Sequence, residues 1–217
     1  MWQGSYRGHK HTPTIILEVI ALYDTWIWNS HFGMPGANND LNVLARSNVF
    51  EDLLHGRSPP VNFEINGNQY NMGYYLADGI YPTYATIVKS MKNPNSEKEK
   101  VFSAAQESVR KDVERAFGIL QARFAIIRQP GRLWNEAALS SVMQACIILH
   151  NMIIDDERRI DWDCQYDQIE DFPPLDRDPT VLFNDYMHRR NEMTNSAMHN
   201  RLRADLVEHI WAMHSES

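Results

Sequence analysis

The sequence predicts an α/β protein, with strands concentrated in its first half and helices in its second half. Runs rich in β-branched and aromatic residues follow one another at residues 13–24 and 25–33, which is typical of a β-hairpin. Two further strand-like runs surround Asn66-Gly67, a dipeptide that favours tight hairpin turns. Over residues 97–128, apolar side chains recur every three or four positions, which indicates one long amphipathic helix.

A shorter helix is predicted between the two hairpins. Residues 34–40 form a turn-like cluster, and the apolar spacing of residues 41–56 is helical, with a glycine at its end. The side chain of Asn38, Asn39 or Asp40 can cap this helix, because each carries an oxygen that accepts from the first free backbone N–H groups.

The remaining segments alternate between helix and linker. Residues 136–155 are almost evenly apolar and predict a buried helix, and residues 200–214 predict a short closing helix with one apolar face. The acidic stretch between them contains Pro173 and Pro174 and shows no period, so it is predicted to be a loop or linker.

The composition places the chain among soluble globular proteins. It has 217 residues, of which 43% are apolar and 23% charged. No continuous apolar run approaches the roughly 20 residues that a membrane helix needs, and the first residues lack a signal-peptide core. We therefore expect a cytosolic or nuclear protein without a membrane partner. Cys146 and Cys164 have no metal-type spacing, so both are expected to be reduced thiols.

The negative charge of the chain is concentrated in one segment. Residues 155–178 carry ten acidic side chains and three arginines, which equals the net charge of −7 of the whole chain. Within the neutral remainder, residues 89–132 carry ten lysines and arginines against five acids. A basic surface for an anionic partner is therefore compatible with the acidic total. The acidic segment is expected to be solvated, with a basic partner protein as the alternative.

Two carboxylates are candidates for chemistry. In "MGYYLADGIYP", residues 72–82, a strand-like run ends at Gly79 and Pro82, which places Asp78 at the carboxyl end of a strand. Glu114 lies at the border of the apolar stripe of the long helix. Such oxygen ligands suit Mg²⁺ or Mn²⁺, and two such ions can activate water and stabilise a leaving phosphate oxygen. The alternative is that both are solvated surface carboxylates.

Longer strings resemble a known family. "NMGYYLADGIYPTYATIVKS", "KDVERAFGILQARFAIIRQP" and "ACIILHNMIIDDER" resemble segments of plant Harbinger-type (PIF/Harbinger) transposases and their domesticated nuclease relatives, in the same order. The resemblance spans roughly residues 2–159. It implies an RNase H-like fold, a mixed five-stranded sheet flanked by helices, with a DDE triad that cleaves DNA using divalent metal. Asp78 matches the second acidic motif and Glu114 the third, so both are expected to be catalytic residues and ligands of Mg²⁺ or Mn²⁺.

The resemblance also predicts what is missing. The first catalytic Asp of the family lies in a strand upstream of the segment that matches the first residues here, so we expect the chain to lack the first strand and to have weak or no activity. A truncated or degenerate copy, or a start codon further upstream, would account for this. Asp24 and Asp40 match family positions outside the triad, and turn or cap roles are expected for them.

The resemblance leads to a predicted domain organisation. Residues 1–154 form a partial RNase H-like DDE nuclease domain, residues 155–180 an acidic loop or linker, and residues 181–217 a C-terminal helical tail. The implied location is the nucleus, and the implied partners are DNA and a Myb-like DNA-binding protein.

Several basic residues flank the apolar stripe of the long helix. They are expected either to contact DNA phosphates, which supply most non-specific affinity, or to form a merely solvated helix face; they are Arg110, Lys111, Arg115, Arg123, Arg128 and Arg132. His150 is interpreted as a buried core histidine rather than a ligand. His9 and His11 near the terminus are not interpreted as a metal site.

Two function classes remain open at this stage. The first is a DDE-type DNA endonuclease or transposase domain. The second is a non-catalytic DNA- or protein-binding module derived from a transposase, which would retain the basic helix face and the apolar helix around residues 145–153. Metal-dependent cleavage that is lost in Asp78→Asn would distinguish the first from the second.

Overall fold

The computed structural model of the protein describes residues 6–7, 13–131, 135–158 and 178–215. The predictions for several positions lie outside these residues, namely those for His9, His11, Arg132, Cys164 and residues 159–177 of the acidic segment.

The described residues form a mixed α/β structure. Its strands are β1 Ile15–Ala21, β2 Ile27–Pro35, β3 Phe63–Ile65, β4 Asn68–Tyr70, β5 Tyr75–Ala77 and β6 Ile87–Lys89. Its helices are α1 Asp40–Leu44, α2 Glu51–Leu54, α3 Glu97–Arg123, α4 Ala125–Arg128, α5 Glu136–Glu157, α6 Pro179–Met193 and α7 Ser196–Ser215.

The chain divides into two compact units, which are described separately below. Unit 1 comprises Met1–Ser47 and Arg110–Asp163, and unit 2 comprises Asn48–Val109 and Cys164–Ser217. It places α7 in the same unit as β3 to β6. The division into a nuclease domain, an acidic linker and a helical tail remains a prediction.

Unit 1 is built on the predicted hairpin. Strands β1 and β2 pair antiparallel, with irregularities between Ile16 and Leu17 and between Ile20 and Ala21. Ile27, Leu120 and Ile147 form the buried centre against which the inner side chains of β1 pack. The side chains of Leu17, Val19 and Ala21, every second residue of β1, therefore pack on α3 and α5.

The turn between β1 and β2 is tight. Thr25 is buried and has φ of 74°, which is unusual for a β-branched residue. One oxygen of Asp24 accepts from the backbone N–H of Trp26 at 3.1 Å, and the other pairs with Arg158 of the α5 C-cap. The predicted turn role of Asp24 is confirmed.

The helix predicted over residues 41–56 is two short helices. Asn39 caps α1, since its side chain accepts from the N–H of Asn42 at 2.9 Å, and Asp40 is the first helical residue. Helix α1 ends at Leu44 and α2 begins only at Glu51. Residues 45–50 between them form turns and a bend, and Ser47 and Asn48 are residue types that disfavour the interior of a helix.

The long helix is also shorter than predicted. Helix α3 ends at Arg123, and Phe124 adopts an extended conformation before α4 begins. Phe124 packs against the buried cluster of unit 1, so tertiary packing ends the helix where the apolar period alone would continue it. Helix α5 was predicted over residues 136–155 and is confirmed, with two more residues at its end.

Unit 2 contains two small sheets. Strands β3 and β4 pair antiparallel around Asn66 and Gly67, whose φ values of 52° and 77° confirm the predicted tight turn. Strands β5 and β6 pair in parallel. Strand β6 was not predicted, although its β-branched residues Ile87 and Val88 favour a strand.

The described strands form three two-stranded sheets. The structure is thus mixed α/β, and the single five-stranded RNase H-like sheet remains a prediction. The core of unit 2 joins strand residues to α3 and α7, and its buried members are Ile65, Tyr70, Val88, Phe102, Leu202, Leu206 and Val207.

Hydrogen bonds connect α7 to the β3–β4 hairpin. Asp205 of α7 accepts from the hydroxyl of Tyr70 and, at 2.8 Å, from the side-chain amide of Asn68. The side-chain amide of Asn66 donates to the backbone carbonyl of Asp205 at 2.8 Å. Burial, followed by the hydrogen bond to Asp205 and its negative charge, raises the pKa of Tyr70 to about 12.

This pKa predicts a loss of stability at alkaline pH. Tyr70 ionises near pH 10 in the unfolded chain but only near pH 12 in the folded one, so its contribution is complete below pH 10 and is lost as pH rises toward 12. We expect Tyr70→Phe to show a shallower decrease in the free energy of unfolding between pH 9.5 and pH 11. Urea denaturation across that range tests this, and equal slopes in both proteins would contradict it.

Candidate metal and DNA site

Asp78 lies where the sequence predicts it, immediately after the last residue of β5. It is exposed, as is Gly79. One oxygen of Asp78 accepts from the N–H of Gly79 at 2.6 Å, and the backbone carbonyl of Asp78 accepts from the N–H of Tyr81 at 3.1 Å. The carboxylate therefore sits on a tight turn at the carboxyl end of a parallel strand pair.

Two side chains from other elements hold this turn. The amide of Gln106 in α3 donates to the carbonyl of Ala77 at 3.0 Å and to the carbonyl of Val88 at 3.3 Å. The ammonium of Lys89, the last residue of β6, donates to the carbonyl of Tyr81 at 2.9 Å. The segment from residue 77 to residue 81 is thus anchored at both ends.

Gln106 and Lys89 differ from ordinary surface residues. Gln106 is buried, and its side-chain oxygen has no hydrogen-bond partner within the part of the chain that the structure describes. Partial burial of Lys89 and, to a smaller extent, the positive charge of Arg203 lower the pKa of Lys89. Polar groups that are taken out of water at this turn are consistent with a specific role for them.

Glu114 belongs to unit 1 and lies on the surface of α3. Its side chain is exposed, and one oxygen lies 3.5 Å from a guanidinium nitrogen of Arg110, one turn earlier in the helix. An exposed ion pair between residues i and i+4 of a helix contributes little stability. The pair with Arg110 is therefore not a sufficient structural reason for Glu114.

The donor chemistry of these residues fits a hard divalent cation. Asp78 and Glu114 supply exposed carboxylate oxygens, and Mg²⁺ is usually held by one or two carboxylates together with water and substrate phosphates. Among the described residues there is no group of three or more histidine, cysteine, aspartate or glutamate side chains that could hold a metal ion. A metal-binding role of Asp78 and Glu114 therefore remains a prediction.

Of the six predicted DNA-contacting residues, Arg132 lies outside the described residues and Arg110 pairs with Glu114. The other four fall into two groups. Arg115 donates to the backbone carbonyl of Tyr23 and lies 3.2 Å from Asp112, and Arg123 pairs with Glu157 at 2.8 Å. These arginines therefore have structural contacts within unit 1. Lys111 of α3 and Arg128 of α4 are exposed. A phosphate-binding role remains a prediction for the whole set. It would require Arg115 and Arg123 to give up ion pairs, whereas no ion pair within the described part of the chain involves Lys111 or Arg128.

His150 is a core residue, as predicted. It is fully buried, its Nε2 lies 2.9 Å from the carbonyl of Thr25, and its Nδ1 lies 3.3 Å from a guanidinium nitrogen of Arg123. Because a carbonyl only accepts, Nε2 carries the proton and Nδ1 accepts from Arg123. The ring joins α5 and α3 to the tight hairpin turn.

Cys146 is a free thiol, which confirms the prediction for this residue. It is buried in α5, and burial raises the pKa of its thiol. A protonated, buried thiol behaves as a small apolar side chain rather than as a nucleophile.

The prediction that residues 136–155 form a buried helix is wrong in part, because α5 has an apolar exposed face. Ile148, Leu149 and Met152 are exposed, whereas Ile147 and His150 on the other side are buried. By length and composition alone the helix could cross a membrane. Core helices of soluble proteins share this length and composition.

Sequence reasoning missed Gln106 and Lys89. Gln106 interrupts the apolar stripe of α3 one turn after Phe102, and a polar residue at a stripe position is a signal that could have identified it. Lys89 follows directly on the strand-forming run of β6, which was not recognised as a strand. The hydrogen bond from Lys89 to the carbonyl of Tyr81 forms only in the folded structure, and no local sequence pattern predicts it.

Comparison with known proteins supports the resemblance at the level of the family. No curated protein and no solved structure matches the chain. The family described as plant transposon protein matches residues 1–161, about three quarters of the 217 residues. The match includes β1 to β6, Asp78 and Glu114. With its strand-end aspartate and long helix inside the matched region, the chain belongs to the plant transposon protein family and has a transposase-related origin.

Proposed function

We propose that this chain supplies two acidic residues, Asp78 and Glu114, to a DDE-type, divalent-metal-dependent DNA endonuclease or transposase of the Harbinger type. The observation that carries the proposal is the position of Asp78, an exposed carboxylate on an anchored turn at the carboxyl end of a parallel strand pair. Membership of the plant transposon protein family supports it.

The proposed chemistry assigns distinct tasks to metal and protein. Bound Mg²⁺ or Mn²⁺ would activate water and stabilise the leaving oxygen of a phosphodiester. Asp78 and Glu114 provide the negative charge that holds the ion, and the anchored turn limits the positions that the Asp78 carboxylate samples. The proposal implies DNA as substrate, a Myb-like DNA-binding protein as a second partner, and the nucleus as location.

Metal binding tests the proposal directly. We expect isothermal titration calorimetry to detect Mn²⁺ binding by the purified chain, and we expect Asp78→Asn and Glu114→Gln each to weaken it by at least about tenfold, since each removes a charged ligand. Glu107→Gln is the matched control, because it removes an exposed carboxylate of α3 outside the proposed pair. A folded chain without Mn²⁺ affinity, or equal affinity in all four proteins, would refute the proposal.

A second candidate is a non-catalytic binding module. The exposed apolar face of α5 favours it, because contiguous exposed apolar side chains often mark protein contacts. If this candidate is correct, DNA or protein binding persists in the presence of a chelator and in Asp78→Asn. Binding that disappears both with the chelator and in Asp78→Asn would support the metal-dependent nuclease instead.

A further inference from the structure

The turn that carries Asp78 is fixed by two side chains that come from different elements. Gln106 reaches the turn from α3, and Lys89 reaches it from β6. Each donates to a backbone carbonyl of the same five-residue segment, at Tyr81 for Lys89 and at Ala77 for Gln106. Asp78 lies between these two anchor points, one residue after the first.

The location of the Gln106 amide is specific to the end of the strand pair. Ala77 is the last residue of β5, and Val88 is the second-last residue of β6. A single buried amide nitrogen donates to the carbonyls of both strands, where the short parallel ladder ends. Gln106 therefore links β5 and β6 at the end of the strand pair that Asp78 follows.

This arrangement has a cost that packing alone does not explain. The other polar atom of Gln106, its Oε1, is buried with no hydrogen-bond partner among the described residues. An apolar residue at position 106 would continue the stripe of α3 without that penalty. The amide is thus better explained by what its nitrogen holds than by the stability of the core.

We propose that Gln106 and Lys89 are positioning residues that orient the Asp78 carboxylate for metal binding. This inference rests on the proposed function, because the orientation of Asp78 matters for a ligand site. Groups that orient a metal ligand without touching the ion commonly change metal affinity by about 10- to 100-fold when they are removed. We expect the lower end of that range here, because both side chains act through the backbone.

The variants separate positioning from general stability. Gln106→Met keeps the length and removes the amide, and Lys89→Met removes the donor to Tyr81. Lys89→Arg keeps a cationic donor and is the rescue variant. Tyr70→Phe is the matched control, since it removes a hydrogen bond of unit 2 whose partner is Asp205 rather than the turn.

Two measurements are made on the full chain under conditions where urea titration shows each variant to be folded. Calorimetry with Mn²⁺ is expected to give about tenfold weaker binding in Gln106→Met and Lys89→Met, with parent-like affinity in Lys89→Arg and Tyr70→Phe. Hydrogen exchange of the Gly79 and Tyr81 amides, which bond to Asp78, is expected to accelerate in the two methionine variants only.

The outcomes distinguish this inference from the function on which it rests. If Asp78→Asn abolishes Mn²⁺ binding while Gln106→Met and Lys89→Met retain parent affinity, the positioning role is refuted and the proposed function stands. A parent chain that binds no Mn²⁺ refutes both. Should Gln106→Met fail to fold, Lys89→Met and its arginine rescue decide the question, because Lys89 is only partly buried.

Discussion

Phe102→Ala is expected to lower the free energy of unfolding by about 3–5 kcal/mol. Phe102 is 1% exposed and lies in the core of unit 2, where α3 meets α7 and the strands. Truncation removes the apolar contacts of the ring and leaves a cavity that the rigid surroundings fill only in part. Because small domains are stable by about 5–15 kcal/mol in total, this change is a large fraction.

Urea denaturation at 25 °C, followed by circular dichroism, measures this loss. Val109→Ala is the matched control on the same helix, because Val109 is 52% exposed and its truncation is expected to cost less than about 0.5 kcal/mol. Phe102→Leu is expected to fall between the two. A loss below about 1 kcal/mol for Phe102→Ala would show that the core around α7 is not packed as described.

His150→Leu is expected to destabilise the protein by about 2–4 kcal/mol, although leucine is apolar and of similar size. The substitution leaves the carbonyl of Thr25 and a guanidinium proton of Arg123 without the partners they have in the folded chain. Buried groups that lose their partners incur the full cost of desolvation. The same substitution releases the strained turn at Thr25 from its contact with α5.

Chemical denaturation with a rescue variant tests the reason for this effect. His150→Gln retains a donor at a position similar to Nε2 and is expected to recover part of the loss. Gln144→Ala, at an exposed position of the same helix, is expected to change stability by less than about 0.5 kcal/mol. Equal losses in His150→Leu and His150→Gln would contradict a role of the hydrogen bonds and would leave only packing.

If both structural predictions are correct, they also define the conditions for the metal-binding experiments. The proposed ligand Asp78 depends on the turn that α3 and β6 hold in unit 2, and Glu114 depends on the part of α3 that packs in unit 1. Unfolding of either core would abolish metal binding whether or not Asp78 and Glu114 are ligands. Stability curves for each variant therefore precede any conclusion about ligands.

Local patterns in the sequence predicted the elements that short-range interactions govern. Asn66-Gly67 adopts the positive φ values that a tight hairpin turn demands, and β1, residues 15–21, lies within the run of β-branched residues that predicted a strand. Asp78 follows the last residue of a strand, because Gly79 frees the backbone for a turn and Pro82 cannot donate to a continuing ladder. Each of these outcomes depends on neighbours within a few residues, and the sequence displays those neighbours directly.

Apolar periodicity did not predict features of the helices that depend on contacts with residues distant in the sequence. The apolar period over residues 97–128 predicts one helix, but Phe124 packs against the core of unit 1 and ends α3. Leu202 and Leu206 of α7 are buried with Phe102 in the core of unit 2, a contact that the apolar period of the closing helix does not specify. Burial against partners about 100 residues away outweighs local propensity in such cases.

The sequence by itself therefore determined the family, the main strands and helices, and the position of Asp78 at a strand end. Only the tertiary structure decided which side chains hold that aspartate in place. Gln106 and Lys89 reach the turn across 29 and 8 residues of chain, and Arg158 reaches Asp24 across 134. Hydrogen-bond partners of this kind are selected by the packing of whole elements, for which residue order alone contains no periodic signal.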